Sequence, residues 1–550
     1  AFFDVGREWS GVHRPAITID LSASALPRYT MFSLSRGVLA YIISLAFTLV
    51  YGYWAAKDRV ARRVLLPLLD ILQSIPVLGF MPGLVLSLVA LFPQSNVGLE
   101  LAAVLMIFSA QVWNMTFSFE HSLRSVPADL SEAATVYRFS WWQRLRQVEL
   151  PFASIGLVWN SMLSMAAGWF FLMINESFQL GARDFRLPGI GSYMSVAVEQ
   201  GRVDAMILGI VAMVAMIVVL DQLLWRPIVV WSQKFRVEES GDATITRSWF
   251  LDWLRHSRLV RAIRVLARRI DTTTRRSAEP QSLPSPAISS RPAHPRPPVP
   301  ARGGVPWSLL PLGLLIIVLA WGGWKLVQLL RHAPAGAWGS ATGAGFLTLG
   351  RVLISTAIGT VWALPAGLAI GLSSRLSRVL QPVVQIAASF PAPMLFPLII
   401  ALLQWAGITL GWGSILLMLL GTQWYILFNV IAGAMALPTD LKEATRSYGI
   451  RGWQRFRTLY FPGVFPYLVT GWVTAAGGAW NASIVSEYVT FKGHTVQTSG
   501  LGAQISGAAA NADFSRLAAA ILVMSVLVVA FNRTVWRWCY RLAEERFAVS

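Results

Sequence analysis

Long segments without a charged residue recur along the 550-residue chain and limit how it can fold. The longest of these segments lies between Arg378 and Asp440. A helix of about 20 mostly apolar residues crosses the hydrocarbon core of a bilayer, so this segment has room for two spans and a turn. Only helices and closed barrels satisfy their backbone hydrogen bonds in lipid, and uninterrupted apolar runs favour helices. The sequence therefore predicts an all-α polytopic membrane protein.

The composition supports a membrane protein and argues against other classes. Charged residues make up 13% of the chain, whereas a soluble domain carries about 25%. The formal net charge of +19 would also suit a nucleic-acid-binding protein, but membrane proteins concentrate Lys and Arg in their cytoplasmic loops. We therefore expect contact with membrane lipid and no nucleic-acid partner. The single cysteine, Cys539, allows no internal disulfide, and no residue pattern indicates a metal site.

The positive charges indicate which loops are cytoplasmic. Lys and Arg cluster near 57–63 and 124–146, and again near 375–378 and 442–457. If about 11 spans cross the membrane in alternating directions, all four clusters fall on the same side of it. The positive-inside bias makes that side the cytoplasm. The predicted spans lie near residues 31–54, 65–92, 98–119, 153–174, 205–226, 306–330, 347–372, 380–404, 410–435, 464–485 and 516–538.

The chain contains a tandem repeat. The segment around Arg36 aligns with the segment around Arg351, and the loop after Pro127 aligns with the loop after Pro438. Both copies run in the same direction, so they are parallel repeats related by an axis along the membrane normal. We predict a first repeat at 1–230, a linker at 231–305 and a second repeat at 306–550.

Two features of this organisation are less symmetric. The second repeat has a leading span, 306–330, without a counterpart, so we expect that the corresponding helix of the first repeat lies upstream of Ala1. The alternative is a five-span first half that follows a cleaved signal peptide. The linker is basic; 249–270 has the pattern of an amphipathic helix for the cytoplasmic leaflet, and 277–305 is a Pro- and Ser-rich tether.

One cytoplasmic loop in each repeat carries the same motif, an acidic residue and two small residues followed by a proline at the next span. The motif residues are Glu132, Ala133, Ala134 and Pro151 in the first loop, and Glu443, Ala444, Thr445, Gly449 and Pro462 in the second. In each loop Asp129 or Asp440 is placed to cap a short helix, with the glutamate at the third following position as in a capping box. One such loop is weak evidence, whereas a matched pair is strong evidence.

These loops resemble the EAA loop of binding-protein-dependent ABC import permeases, whose pattern is EAA-x3-G-x9-I-x-L-P. The first loop departs from it at Arg138, which stands where the family has glycine. Together with Pro76, Pro391 and the Gly-x-Gly that follows each fourth span, the pattern is similar to permeases of the nitrate, sulfonate and taurine type. The resemblance covers most of both repeats and implies two fused type I importer permease domains.

The resemblance also implies a function and partners. It implies a bacterial inner-membrane permease that imports a small solute, an anion for this family type, by alternating access. Two ATP-binding-cassette ATPase subunits would engage the two loops, and a periplasmic binding protein would deliver the solute. The sequence lacks the Gly-x4-Gly-Lys-Ser/Thr phosphate loop, so we expect no enzyme activity and no cofactor in this chain, with ATP and Mg bound by the ATPase.

Candidate pathway residues come from the fourth spans, and each has a structural alternative. Glu176 and Glu487 end these spans at the outer side, where they would line a pathway or instead pair with arginine. Membrane anchoring is favoured over anion binding for Arg36 and Arg351. Further candidates in these spans are Trp169, Trp480 and Asn481, although ordinary helix packing is favoured for the tryptophans. Asn114, Gln423 and Asn429 lie on the third spans, where interhelical hydrogen bonding explains them without a substrate. The outer loops are basic, which suits an anion or an acidic protein surface; their residues include Arg183, Arg186, Lys492 and His494.

Two other transport classes compete with an ABC permease. An ion-coupled secondary transporter also has parallel repeats of this size, but it predicts charged residues in mid-membrane, where Asp70 is the only one and aligns with Gln385. A channel normally needs a symmetric oligomer and a filter segment, and the sequence contains no filter pattern. The matched cytoplasmic loops favour the ABC permease, whereas the solute and the half that lines its pathway are left open.

Overall fold

The computed structural model describes residues 18–180, 183–235, 309–491 and 494–547. These residues form two helical halves, each with one short β-hairpin. The amphipathic helix expected at 249–270 and the tether expected at 277–305 lie outside the described residues, as does Lys492.

The first half is a series of helices joined by short turns. Its elements are α1 (Leu26–Phe47), α2 (Arg59–Ser74), α3 (Val77–Leu91), α4 (Val97–Arg124), α5 (Ala128–Val136), α6 (Trp141–Arg144), α7 (Leu150–Glu176), β1 (Gln179–Leu180), β2 (Arg183–Asp184), α8 (Ile190–Glu199) and α9 (Val203–Leu220). Three π-helical turns lengthen or join these helices: Thr48–Gly52 links α1 to Tyr53–Lys57, Leu145–Glu149 links α6 to α7, and Asp221–Trp225 links α9 to Arg226–Ser232.

The second half has one additional leading helix and otherwise repeats this order. Its elements are α10 (Leu309–Leu330), α11 (Ala335–Leu372), α12 (Ser374–Ser389), α13 (Phe396–Trp405), α14 (Leu410–Ala436), α15 (Thr439–Ser447), α16 (Gly452–Arg455), α17 (Phe461–Ser486), β3 (Tyr488–Phe491), β4 (His494–Gln497), α18 (Leu501–Ala510) and α19 (Phe514–Phe531). The turn Phe456–Tyr460 links α16 to α17, and Asn532–Trp536 links α19 to Arg537–Phe547. Each hairpin is antiparallel.

Two predicted spans are bent rather than straight. The expected spans 65–92 and 380–404 are wrong as single helices, because α2 and α3 meet at 93° and α12 meets the following turn and α13 at 79°. Proline disfavours the helical conformation at the residue before it. Accordingly, Ile75 before Pro76 and Phe390 before Pro391 are extended, and each helix ends there.

The other predicted spans agree with the helices. Eight described helices are long and apolar enough to cross a membrane, and the two bent pairs raise this number to ten. The remaining predicted span, 464–485, coincides with α17, whose many Gly, Ala and Thr residues make it less hydrophobic than the others. The fold is therefore an all-α polytopic membrane protein, and about 11 spans is an approximate description.

Each bent pair packs into the opposite half. Helix α3 lies against α17, α18 and α19, while α12 lies against α7 and α9. At the first of these contacts the Val77 backbone N–H donates to the Asn481 side-chain oxygen at 2.9 Å. The leading helix α10 also reaches the first half, because Leu312 is buried with Ala55, Ala61 and Leu65. The two halves are thus joined by exchanged elements rather than by a flat contact.

Small residues let α11 approach α14 closely. A Cβ added at Gly371 would lie 2.6 Å from the Cβ of Ala434 and 2.8 Å from the Ile431 carbonyl oxygen, while one at Gly367 would lie 2.6 Å from a Val430 methyl group. Because lipid tails are as apolar as the helices, helix association in membranes relies on such close packing.

We expect that Gly371→Leu destabilises the second half by about 1–3 kcal/mol, because overpacking must push α11 away from the α14 backbone. Gly343→Leu is a matched control in the same helix, since an added Cβ there contacts nothing within 4 Å. Thermal unfolding of the purified protein in detergent measures the difference. Equal midpoints for the two variants would contradict the close packing of α11 on α14.

Candidate functional site

A buried arginine joins three elements at the outer end of the first half. Arg36 on α1 donates from Nε and Nη2 to the carboxylate of Glu100 on α4, both at 2.6 Å. Its Nη1 donates to Glu176 at the end of α7 and to the Pro188 carbonyl, both at 2.7 Å. The Arg36 side chain is 1% exposed, and both glutamate side chains are fully buried. All three charged groups are thus satisfied without water.

The second half repeats part of this arrangement. Arg351 Nη1 donates to Glu487 and to the Ser499 carbonyl, both at 2.7 Å, and Nη2 donates to the Thr498 hydroxyl at 3.2 Å. Glycine 411 stands at the position of Glu100, so this arginine has one carboxylate partner rather than two. The Arg351 side chain is 12% exposed.

Each glutamate also caps the helix that follows the hairpin. The Gly191 N–H donates to Glu176 at 2.8 Å, and the Gly502 N–H donates to Glu487 at 2.9 Å. A carboxylate at a helix N-terminus accepts otherwise unpaired N–H groups and interacts favourably with the helix dipole. A side chain at Gly189 is not possible here, since an added Cβ would overlap the Glu176 carboxylate at 2.3 Å. This requirement explains the Gly-x-Gly that follows each fourth span.

The prediction that Arg36 and Arg351 act as membrane anchors is wrong. An anchor extends its charge to the headgroups, whereas both guanidinium groups here donate to buried glutamates. The sequence signal for this pairing was an Arg and a Glu at aligned positions of both repeats, although they are 140 residues apart in the first repeat and 136 apart in the second. Glu100, the third member of the first cluster, was missed because its counterpart in the second repeat is Gly411.

A central cavity of about 190 Å³ lies where the two bent helix pairs meet. Both halves line it, with Trp113 and Trp424 at equivalent positions on α4 and α14. Asn481 lines this cavity, and so does Asn114, whose side chain is exposed rather than bonded to another helix. The lining contains no Asp, Glu, Lys or Arg among the described residues. The repeated tryptophan pair is the sequence signal that would have located it.

The other pathway candidates lie elsewhere. Glu176 and Glu487 hold the outer clusters, and neither is part of the central cavity lining. Trp169 packs against Gly37, where an added Cβ would lie 2.7 Å from its ring, and Trp480 is equally buried. A wider cavity of about 320 Å³ lies at the outer side between the halves, and its lining includes the apolar residues Met81, Met173, Met194 and Met394.

Both predicted cytoplasmic loops contain a short exposed helix, α5 or α15. Glu132 and Ala133 are exposed on α5, where Ala134 faces inward, and Glu443 is exposed on α15, where Ala444 and Thr445 are half-buried. The capping boxes expected at Asp129 and Asp440 are wrong. Pro127 and Pro438 precede these helices, and neither aspartate caps its helix. Both aspartates lie in the first turn, where a carboxylate interacts favourably with the helix dipole.

The two short helices end in the same backbone geometry. The Phe139 N–H donates to the Ala134 carbonyl and the Ile450 N–H to the Thr445 carbonyl, both at 2.9 Å. This is the Schellman motif, which needs a left-handed residue before the last donor. Gly449 has φ 67° there and Arg138 has φ 51°. Arginine therefore adopts the conformation of the family's glycine, at the cost of backbone strain.

The loops differ in how they are tied to the rest of the protein. In the first half Glu149 pairs with Arg144 at 3.1 Å and with Lys57 at 2.7 Å. In the second half Tyr460 replaces that glutamate, and Arg455 donates instead to the Lys442 carbonyl of α15 at 3.0 Å. Burial, followed by repulsion from Arg455, lowers the pKa of Lys442. The first loop is held by ion pairs and the second by its backbone.

Comparison with known proteins identifies the family. A model of the family described as "binding-protein-dependent transport system inner membrane component" matches residues 48–224 and 359–542, which is more than half of the chain. The chain belongs to this family. Each half therefore contains one copy of the family's domain, which is a permease component rather than a catalytic subunit.

Each individual relative is similar to between about a quarter and two fifths of the chain. A nitrate import permease protein of Synechocystis sp. is 28% identical over 142 residues, 26% of this chain and 50% of that protein. A bicarbonate transport system permease protein of Synechococcus elongatus is 26% identical over 38% of this chain and 68% of its own length. A putative aliphatic sulfonates transport permease protein of Escherichia coli is 30% identical over 34% of this chain and 72% of its own length. The chain thus spans about half the length of the nitrate permease.

The described part of this family member contains no group of three His, Cys, Asp or Glu residues that could hold a metal ion. Buried charges hold the outer clusters, and Glu149 is a further buried charge at the first cytoplasmic loop. The cytoplasmic helices α5 and α15 present their acidic residues to solvent.

We expect Arg36→Met to be more destabilising than Arg351→Met. The first variant leaves two buried carboxylates without their cation and the second leaves one, and an unpaired buried charge costs about 3–5 kcal/mol. Thermal unfolding and the yield of monodisperse protein measure the loss. Adding Glu100→Gln to Arg36→Met recovers part of it. Equal losses in the two single variants would show that Glu100 does not depend on Arg36.

We expect Arg138→Gly to stabilise the end of α5 and Gly449→Ala to destabilise the end of α15, each by about 1 kcal/mol, because a side chain is strained in the left-handed conformation. A change of this size alters amide hydrogen exchange about fivefold. Exchange measured by mass spectrometry for 128–139 and 439–450 reports each helix separately. Unchanged exchange in both variants would contradict the strain at Arg138.

Proposed function

We propose that the chain is the membrane-spanning permease of an ABC importer. It forms the pathway for a small solute by alternating access and is driven by a separate ATPase. The observation that supports this proposal most is the pair of exposed cytoplasmic helices, α5 and α15, that end in the same Schellman motif. A secondary transporter does not need two such matched helices.

The central cavity supports a pathway between the two halves. Its lining comes from both repeats and from both bent pairs, so any movement of one half against the other changes its shape. The exchanged helices join the two halves beside this cavity, where Val77 donates to Asn481. Relative movement of the halves would therefore open the cavity to one side of the membrane at a time, which is the basis of alternating access.

The cytoplasmic helices are suited to hold two ATPase subunits. Glu132 and Glu443 extend into solvent from short helices that end in a Schellman motif, and neither has an ion-pair partner among the described residues. A basic residue of each ATPase would pair with one glutamate, while Ala133 and Ala444 allow close approach. Because the repeats 1–230 and 306–550 share one chain, we propose one copy per complex with a pseudo-two-fold axis.

The solute and the other partners follow from the relatives. Their names include nitrate, bicarbonate and aliphatic sulfonates, so we propose a small anion that a periplasmic binding protein delivers to a bacterial inner-membrane complex. The uncharged lining of the central cavity would make hydrogen bonds to it without holding it tightly. ATP and Mg would be bound by the ATPase, since the printed sequence lacks a phosphate loop.

Co-purification with candidate ATPase subunits tests the proposal. We expect the wild-type protein to hold two ATPase copies. The double variant Glu132→Ala, Glu443→Ala should bind them at least about tenfold more weakly, because each of its two substitutions removes one partner of an interfacial ion pair. Binding and solute-stimulated ATP hydrolysis are both measured. Glu544→Ala is the matched control, an exposed glutamate on the last described helix.

Two results would reject the proposal. One is that no ATPase binds and that uptake into vesicles follows a proton or sodium gradient, which would make the chain a secondary transporter. The other is that the double variant binds and stimulates ATPase subunits as well as Glu544→Ala does. The separate single variants then show whether α5 and α15 contribute equally.

A further inference from the structure

The arginine at the outer end of the second half has a hydrogen-bonding edge that is only partly used. Arg351 uses Nη1 for Glu487 and the Ser499 carbonyl, and Nη2 for Thr498. Among the described residues, its Nε has no acceptor. A guanidinium group presents Nε and Nη2 as a parallel pair of donors, which matches the two oxygens of a carboxylate or a similar planar anion.

The first half contains the same arginine with that edge occupied. Arg36 makes the equivalent Nη1 contacts, to Glu176 and the Pro188 carbonyl. Its Nε and Nη2 then hold both oxygens of Glu100 at 2.6 Å. The protein thus contains its own example of a bidentate carboxylate bound at this position.

At the corresponding position the second half has a residue without a side chain. An added Cβ at Gly411 would lie 3.8 Å from Arg351 Nη2 and 3.4 Å from the Thr498 hydroxyl, which are ordinary contact distances. The Thr409 hydroxyl also lies 3.8 Å from this Cβ, and nothing lies closer to it than the Thr498 hydroxyl, so there is room for a side chain to begin at Gly411 as it does at Glu100. The Arg351 side chain is also 12% exposed, compared with 1% for Arg36, so small solutes can reach it.

The start of α14 adds a second attraction for negative charge. Gly411 lies in the first turn of this helix, and the preceding Thr409 makes no side-chain capping bond. The first N–H groups of a helix generally have no partners within the helix, and together with the helix dipole they favour an anion. In α14 the Trp412 N–H already donates to the Thr409 carbonyl at 3.2 Å, so the relevant groups are those of Leu410 and Gly411. The helix N-terminus and the arginine edge meet at the same residue.

We propose that Arg351, Thr498 and the start of α14 bind a small planar oxyanion, a carboxylate, bicarbonate or nitrate ion, in place of the missing Glu100 carboxylate. The anion accepts hydrogen bonds from Nε and Nη2 of Arg351. The Arg351–Glu487 pair is neutral, so a bound monoanion gives the cluster the same net charge as Arg36 with Glu100 and Glu176. The site lies among the outer loops and does not depend on the proposed ATPase coupling.

Thermal unfolding of the purified full chain in formate tests this site, because formate is the smallest carboxylate. Wild type is titrated with sodium formate against sodium chloride at equal ionic strength and constant pH. We expect a saturable rise of the midpoint in formate only. Gly411→Glu supplies the carboxylate from the chain itself, so it raises the midpoint in chloride and abolishes the formate response.

Two further variants control for folding and for the bulk effects of salt. Gly411→Ala adds only a methyl group at an ordinary contact distance, so the formate response is retained. Glu100→Gly leaves Nε and Nη2 of Arg36 without their carboxylate. We expect this variant to have a lower unfolding midpoint in chloride and to be stabilised by formate at a second site. This variant tests the idea even if Gly411→Glu fails to fold.

The outcomes that overturn the proposal are distinct from failure of the transport assignment. If wild type has the same midpoint in formate and chloride, water alone occupies the Arg351 edge. If the formate response persists unchanged in Gly411→Glu, the anion binds elsewhere. If Glu100→Gly is not rescued by formate, the comparison between the two arginines is invalid. None of these measurements involves an ATPase or transport.

Discussion

The contact between a buried arginine and a buried glutamate at the outer end of each half is the interaction on which the rest of the fold depends. It joins the first long helix, the end of the fourth span and the start of the helix after the hairpin. Removing such charges from water is costly, and full hydrogen bonding is needed to offset the cost. The requirement fixes the orientation of three elements at once. It also explains why glycine and a sharp turn follow each glutamate.

The same interaction shows how far the two halves have diverged. The first half has Glu100 and an arginine that is closed to solvent, whereas the second half has Gly411 and a partly exposed arginine. At the cytoplasmic end the first half has the Glu149 ion pairs and the second has Tyr460. In both places the first repeat is the more heavily charged one. The halves therefore share a fold and differ in the electrostatics of both of their ends.

Much of the fold could be predicted from the sequence, because apolar length and proline follow simple rules. Charge-free runs located the spans. The orientation expected from the positive loops stays a prediction. The bends at Pro76 and Pro391 were missed, since hydropathy is continuous across them and only the φ and ψ restriction before proline indicates a break. The capping boxes at Asp129 and Asp440 were also wrong, because the preceding prolines begin the helices earlier than the side-chain pattern suggests.

The candidate site was less predictable, because side-chain partners distant in sequence leave little local pattern. The central cavity depends on how α4 and α14 face each other, and Trp113 and Trp424 resemble ordinary packing residues until the repeats are compared. Arg36 and Glu100 are paired by folding and not by spacing. Repetition was the useful signal: features present in both copies, such as Glu176 with Glu487, could be selected from one sequence.

The hydrogen bond from the Val77 backbone to Asn481 has a consequence for how this protein can evolve. In a dimer of identical chains every substitution at the shared surface appears twice, so a change that improves one contact must also suit the contact related to it by the two-fold axis. Here Phe170 is the residue of the first repeat that aligns with Asn481, and a phenylalanine cannot accept the equivalent hydrogen bond. Fusion into one chain has released each surface residue from serving two places, and selection can act on either side of the pathway independently.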